Sequence, residues 1–403
     1  MTCKTAVGFC VLAGALMFTA SLVGEDWRQF RGSNSNSAAG DSRIPLEWSE
    51  NNNVAWRTPI PGKGASGPII VGHRIFVTRS GGIKQNRLYV LCVDARTGRQ
   101  LWRRDFWATG RTYTHPSSSV AAPTPASDGK RVVAFFSSND LVCLDLEGNL
   151  LWYRGLALDF DKAGNDIGMS SSPTIAGNVV VVQAENQGNS FATGIDIRTG
   201  EQLWETSRGG QANWASPIVI PGPSGQPAVL LQSPTGVTAY EAETGKVLWE
   251  MDLACGTIPS PTLAGDLILI NSNGLTALRV TKGNAMPEIA WTSNRLGMNG
   301  ASPVVHEGKV YVLSGSIAKC ADLETGELDW QVRLTGRYWA SPIVAGGHVY
   351  FINQDGEAQV VSIGTTGTLV AENAFGEIVQ GTPAVSGDAM FVCTDKHIWK
   401  ITE

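Results

Sequence analysis

Charge is scarce in this 403-residue sequence, where Asp, Glu, Lys and Arg together make up 17%. With 43% hydrophobic residues against so little charge, a disordered polyelectrolyte is excluded and a folded core is expected. After residue 22 no apolar run is long enough to cross a bilayer. There is no CxxC, no CxxCH and no adjacent Cys-Cys pair, so neither a dithiol redox motif nor a covalently held haem is encoded. A Ser/His/Asp arrangement, zinc-ligand spacing and a phosphate-binding glycine loop are missing as well.

The one apolar run lies at the start. Lys4 precedes Val7–Leu22, and small residues (Ala20, Ser21, Gly24) lead into polar sequence. This pattern predicts a secretory signal peptide over residues 1–24, with a retained N-terminal anchor as the alternative. Cys10 sits inside the apolar run, too early to take a lipid. The expected product is exported, periplasmic or extracellular. Without residues 1–24 it has 30 Lys and Arg against 36 Asp and Glu, a net charge of −6. An acidic chain gives no electrostatic reason to bind nucleic acid.

Glycine and tryptophan are plentiful, at 46 and 13 residues. Internal repetition explains both. Asp94-Ala-Arg-Thr-Gly-Arg-Gln-Leu-Trp102 returns as Asp196-Ile-Arg-Thr-Gly-Glu-Gln-Leu-Trp204. It returns again in Glu241–Trp249 and Asp322–Trp330, and one residue shorter in Asp145–Trp152. Trp56 and Trp291 end weaker copies, and an eighth copy ends at Val370. A second marker runs in phase, a small residue followed by Pro: Gly67-Pro68, Thr124-Pro125, Ser172-Pro173, Ser216-Pro217, Ser260-Pro261, Ser302-Pro303, Ser341-Pro342 and Thr382-Pro383. Each unit divides into four short strands. Pro opens the first, which need not donate to a ladder there. Thr-Gly closes the hairpin before the Trp strand, Gly supplying a positive φ. Four strands per repeat, eight times, predict an all-β, eight-bladed β-propeller with four-stranded antiparallel blades.

The last repeat is short of a strand, so residues 53–60 should close the last blade, with 25–52 as an N-terminal extension and 53–403 as the propeller. Trp56, Trp102, Trp152, Trp204, Trp249, Trp291 and Trp330 are expected to pack between blades. Five cysteines lie beyond the signal region: Cys92, Cys143, Cys255, Cys320 and Cys393. Three of them stand two residues before the acidic position, where other repeats have Gly194 and Ala239. That slot asks for a small buried residue, and inert core thiols are expected.

The D-x-x-T-G-x-x-L-W pattern resembles the tryptophan-docking repeats of the pyrroloquinoline-quinone (PQQ) propeller family over about residues 53–401. Asp26-Trp-Arg-Gln-Phe-Arg-Gly32, followed by Asn53-Val-Ala-Trp56, resembles the opening of exported PQQ-like repeat proteins. The resemblance implies two functions. Quinoprotein dehydrogenases bind the quinone and Ca²⁺ over the propeller axis. The propeller lipoprotein of the outer-membrane barrel-assembly machinery binds a partner protein and no cofactor. This sequence departs from the dehydrogenases in lacking a vicinal disulfide, long loop insertions and a haem domain. It departs from the lipoprotein in lacking the lipid-attachment cysteine.

Residues just before the Ser-Pro markers should face the mouth of the axial channel. Asn213, Trp214, Asn299, Arg337, Tyr338 and Trp339 are the ligand-binding candidates there. Indoles and a guanidinium at one mouth could hold a planar acid, a sugar or a peptide carboxylate; rings that merely plug the channel are the alternative. His115, in the longest insertion (Phe106–Pro116), joins them as a possible ligand or base. Glu185–Ser190 offers oxygen atoms of the kind Ca²⁺ takes, although a polar turn explains them equally. Asp159 and Asp161 suit a solvated loop.

The expected function is an exported, non-catalytic, monomeric binding or scaffold protein of the cell envelope, with no metal, cofactor or transmembrane segment. Its partner would be an envelope protein or a small planar or carbohydrate ligand. A PQQ-dependent dehydrogenase with Ca²⁺, acting on an alcohol or sugar, is the first alternative. A carbohydrate-binding or lyase-type propeller is the second.

Overall fold

The computed structural model describes residues 24–160, 167–223, 225–281 and 286–403. Residues 1–23 of the expected signal peptide, and Asp161, lie outside them. Eight antiparallel sheets follow one another along the chain. Their innermost strands are Ile69–Val71, Ala126–Ser127, Thr174–Ala176, Ile218–Pro221, Thr262–Ala264, Val304–His306, Ile343–Ala345 and Ala384–Ser386. From the first to the seventh each packs against the next, the eighth packs against the first, and the seventh and eighth share one hydrophobic cluster, so the ring is closed. The fold is the expected eight-bladed propeller. The only helical pieces among the described residues are Leu156–Asp159 and a 3-10 turn at Asn294–Leu296.

Burial follows position within a blade. In blade three the second strand, Val179–Ala184 (VVVVQA), is covered on both faces and buried throughout. A continuous apolar run of that length is what a strand between two layers needs. The outermost strand, Gln202–Arg208, has one face in water and alternates. In blade eight the chain supplies Ala384–Ser386, Ala389–Cys393 and His397–Ile401, and Val54–Pro59 adds the fourth strand antiparallel to the last of these. The start and end of the propeller thus share one sheet, which gives the eighth blade four strands like the others.

The outer-strand tryptophans join neighbouring blades. Each indole Nε1 donates to a hairpin carbonyl of the following blade: Trp102 to Leu146, Trp152 to Ile197, Trp204 to Ala242, Trp291 to Leu323 and Trp330 to Gly364, at 2.8–3.0 Å. Trp56 does the same across the closure, reaching Ala95 at 3.3 Å. The hairpin beyond Trp249 includes residues 282–285, outside the described residues.

Under each of these six rings lies the hairpin glycine of the next blade: Gly98, Gly148, Gly200, Gly245, Gly326 and Gly367. All six have positive φ, and a Cβ on any of them would come within 2.4–2.8 Å of an indole. The Thr-Gly signal therefore meets two constraints, turn geometry and ring contact. The acidic residue of the motif ties the same turn. Asp94 Oδ1 accepts from Arg96 N, Thr97 N and Thr97 Oγ1 at 2.9–3.1 Å. Burial alone would raise the pKa of Asp94, but these bonds and the Arg96 guanidinium bring it down to about 2.

Strand register explains the small-residue slot. Cys92, Cys143, Gly194, Ala239, Ala277 and Cys320 are the cross-strand partners of Trp102, Trp152, Trp204, Trp249, Trp291 and Trp330. A bulge sits just before each Trp, and at Gly194 even a Cβ would lie 2.2 Å from the Trp204 indole. The register also corrects the eighth slot. In blade seven Val360 pairs with Ala371, and Val370 is the bulged residue. Ala371 is buried while Val370 is 41% exposed, so the tryptophan position belongs to Ala371. Burial pushes all five described thiols up to about 12, and none is in a disulfide.

Two expected outcomes test this packing. Gly200→Ala should lower stability by about 2–4 kcal/mol, combining overpacking with backbone strain. Gly308→Ala, at similar φ but with nothing within 4 Å of its Cβ, should lose only about 1–2 kcal/mol; urea midpoints separate the two. For the thiols, Ellman's reagent at pH 8 should leave the four buried ones unmodified in the folded protein starting at Glu25, react slowly with half-buried Cys255, and titrate all five in guanidinium.

Candidate functional site

The residue before each Pro marker turns out to be part of a chain of hydrogen bonds around the axis. Gly67 N donates to Thr124 Oγ1, Thr124 N to Ser172 Oγ, and so on through Ser216, Ser260, Ser302 and Ser341 to Thr382, at 2.9–3.0 Å in every link. A small hydroxyl residue is needed because its side chain must accept from the preceding blade while its backbone starts a strand. The eighth position is Gly67, without a hydroxyl, and a Cβ there would lie 2.4 Å from Thr382 O. Arg79 reinforces this joint instead. Its buried guanidinium donates to the carbonyls of Pro61, Gly62 and Gly64 and, in blade eight, of Thr394 and Asp395.

Above the hydroxyl ring is a cavity of about 380 Å³. Trp214 and Trp339 flank it, and His115, Met169 and Ile258 complete its apolar and aromatic wall. Phe30 belongs to the lining although it comes from the N-terminal extension. That extension runs under the propeller. Trp27 bridges to Ile70 of blade one, and Ala38–Ala39 adds a parallel strand to Ile343–Ala345 of blade seven. Between them Arg31 is 1% exposed. Its Nη1 donates to Thr262 Oγ1 (2.5 Å) and Pro303 O (3.3 Å), and its Nη2 to Pro261 O. Burial brings the Arg31 pKa down to about 9, so the group is still a cation at neutral pH. Gln29 reaches Ser35 Oγ and accepts from Thr174 Oγ1. Phe30 thus forms the floor of the cavity, and Arg31, outside the lining, anchors the segment that carries it, so the cavity is a well rather than a tunnel.

The long insertion after blade one forms part of the rim. Buried Asp140 accepts from Thr109 N and Oγ1, Ser138 Oγ and Tyr153 OH, fixing where the insertion leaves the sheet. Further on, His115 N donates to Ile167 O at 2.9 Å, and Ser117 O accepts from Gln380 of blade eight.

A family model described as outer membrane protein assembly factor BamB matches residues 39–167, 86–258, 251–362 and 322–403. The chain belongs to the BamB family. Relatives include the BamB of Burkholderia pseudomallei, 25% identical, with 83% of this chain aligned to 82% of the relative. Tetrathionate hydrolase of Acidithiobacillus ferrooxidans is 23% identical over 72% of this chain and 70% of its own. A polyvinylalcohol dehydrogenase from a Pseudomonas species is 24% identical over 70% of this chain but only 47% of its own length. Among solved structures, BamB of Moraxella catarrhalis superposes with a TM-score of 0.63 at 15% identity, covering 87% of this chain and 98% of that one. A europium-containing methanol dehydrogenase gives 0.71 at 12%, covering 93% and 90%. At such identities these structures speak for the fold alone.

In this BamB-family chain the expected site residues separate into two groups. Trp214, Trp339 and His115 line the cavity. Trp214 is fixed by Nε1 to Gly168 O at 2.8 Å, and Trp339 by Nε1 to Gln354 Oε1 at 3.1 Å, leaving it 45% exposed. His115 Nδ1 lies 2.7 Å from Ser117 Oγ. The others are not in the lining. Asn213 is buried beneath the rim with Nδ2 on Gln232 O, and Tyr338 points into the core with its hydroxyl on Gln359 Oε1. Asn299 and Arg337 are exposed, but neither borders the cavity. These residues lie in the irregular segments before the inner strands, where tertiary hydrogen bonds such as Asn213 to Gln232 and Tyr338 to Gln359 decide which side chain turns inward. Phe30 and Arg31 were missed by sequence reasoning because their positions depend on where the extension docks.

No Asp, Glu, Lys or Arg lines the cavity among the described residues. Nor do those residues contain a group of three or more His, Cys, Asp or Glu able to hold a metal ion. Glu185 is buried, and its Oε1 accepts from Arg208 Nε (2.7 Å), Gln183 Nε2 (2.8 Å) and Ser233 Oγ (2.6 Å). Its Oε2 has no partner, but the Arg208 guanidinium already balances the carboxylate. Asp159 pairs with Arg154 on the surface.

Replacing Arg31 by Ala should free the floor. Each charge-assisted bond to a carbonyl is worth about 1.5–3 kcal/mol. Amide exchange over residues 26–37 should therefore accelerate by about tenfold or more, while exchange in the central strands is unchanged. Unaltered exchange in the extension would show that Arg31 does not hold it.

Proposed function

We propose that this chain is an exported, non-catalytic, monomeric propeller of the cell envelope that binds another envelope protein. The observation that carries the reading is the uncharged lining of the axial well. A carboxylate-rich quinone with Ca²⁺ would need cations for its carboxylates and oxygen anions for the metal. The described lining offers neither; buried Glu185 is neutralised by Arg208, and buried Asp140 is taken up by Thr109, Ser138 and Tyr153 at the root of the insertion. These residues do not fit the cofactor. The alignment supports the same reading, since the chain spans 82% of a BamB relative and 47% of a polyvinylalcohol dehydrogenase. No helix among the described residues is long and apolar enough to cross a membrane.

A dehydrogenase acting on an alcohol or sugar is the second reading, favoured by the two indoles at the mouth. Trp214 and Trp339 could stack on a planar ring.

Titration with pyrroloquinoline quinone and Ca²⁺, followed by tryptophan fluorescence, separates the readings. The expected result is no saturable quenching up to about 100 μM, a limit of about −5.5 kcal/mol in affinity. Saturable quenching abolished by Trp214→Ala or Trp339→Ala would overturn the proposal. A photo-crosslinking residue at position 339 provides the positive arm: an adduct with an outer-membrane assembly protein is expected in intact cells, and failure to form one counts against the partner class.

A further inference from the structure

We propose that the outer edge of blade one is a docking surface for an acidic polysaccharide, centred on Arg87 and Trp107. The proposal goes beyond the protein-binding reading and does not depend on the axial well.

The first observation is charge. Residues 74–111 contain nine Lys and Arg against two Asp and Glu, in a chain whose totals are 31 and 36. Part of that excess is compensated, since Arg79 is buried and Arg96, Arg103 and Arg74 pair with Asp94, Asp105 and Glu147 at 3.2, 2.7 and 3.0 Å, which leaves the net positive charge of the blade's outer edge centred on Lys84, Arg87, Arg99 and Arg104. Lys84, Arg87, Arg99, Arg103 and Arg104 are all exposed. Blade one is a basic stripe on an otherwise acidic protein.

The second observation is the rings set among those cations. Arg87 and Trp107 are cross-strand partners, and the Arg87 guanidinium lies 4.8 Å from the Trp107 ring centroid. Trp107 is 61% exposed, and neighbouring Ile83 is fully exposed. Arg103 lies 5.0 Å from the Tyr89 ring. On the insertion that leads to the well, Arg111 lies 5.4 Å from the Tyr113 ring, which is 59% exposed. Large exposed rings cost free energy unless something covers them. A guanidinium lying against a ring keeps its N–H edge directed outward and suited to a carboxylate.

A uronic acid residue supplies the complement to such a pair. Its C–H face suits the exposed indole, and its carboxylate suits the guanidinium. An acidic peptide has the carboxylates without the flat C–H face. A duplex places one phosphate charge per ~1.7 Å and would run from this narrow stripe onto acidic neighbours. A polyuronate carries one charge per sugar and can follow the stripe.

The test is calorimetric titration of the protein starting at Glu25 with a galacturonate decamer. Neutral malto-oligosaccharide, poly-glutamate and oligo-dT are the comparison ligands. Binding at low salt is expected, weakening as ionic strength approaches about 0.3 M because the contacts are exposed charges. Arg87→Gln and Trp107→Ala should each weaken it by about tenfold with an unchanged thermal midpoint, and Trp214→Ala should not weaken it. Absence of galacturonate binding at low salt would overturn the proposal. So would poly-glutamate or oligo-dT binding as tightly, or full binding by both blade-one variants. Since cofactor binding is read on Trp214 and Trp339, either proposal can fail without the other.

Discussion

Everything in this molecule depends on contact between one blade and the next. A four-stranded blade cannot bury both of its faces alone, and each indole solves part of that problem for its neighbour. The ring covers a glycine of the next hairpin and donates to a carbonyl of the same hairpin. Near the axis the hydroxyl chain performs a second, polar version of the linkage. One contact is apolar and peripheral, the other hydrogen-bonded and central, so rotation of a blade about either would break the other.

A ring of repeats has one joint that differs from the rest, where the two ends of the propeller meet. Here that joint is blade eight against blade one. The hydroxyl chain stops at Gly67, and the Trp56 bond to Ala95 is the longest of its set. Compensation comes from sheet pairing of Val54–Pro59 with His397–Ile401 and from the five carbonyls around Arg79. A buried guanidinium suits this role because its donors fan out in a plane and can satisfy carbonyls from both blades at once.

The same scaffold accounts for the divergence of its relatives. Strand packing uses the tryptophans, glycines and hydroxyls and leaves the rim free to vary. Proteins as different in name as an assembly factor, a hydrolase and dehydrogenases can therefore share it. In this chain the rim is economical. One insertion, held at its root by Asp140, and one inserted N-terminal segment shape the well, and no cationic residue lines it among the described residues.

The sequence by itself determined the number of blades, the strand order within each and the residues that join them. Those features are local and recur at a fixed phase, so turn chemistry and strand period announce them before any long-range contact forms. Even the small-residue slot at Cys92, Cys143 and Cys320 was legible, though its cause, a tryptophan across the ladder, was not. Only the tertiary structure decided which rim residues share the well. Trp214 and Trp339 do, while their neighbours Asn213 and Tyr338 face the core and Arg337 faces solvent, because hydrogen bonds to Gln232 and Gln359, distant in sequence, turn the first two inward. The same limit moved the eighth tryptophan slot from Val370 to Ala371, since a bulge changes register without altering the sequence pattern. The Phe30 floor and its Arg31 anchor were beyond sequence reading for a related reason: Arg31 finds its partners more than 200 residues away, and no repeat marks them.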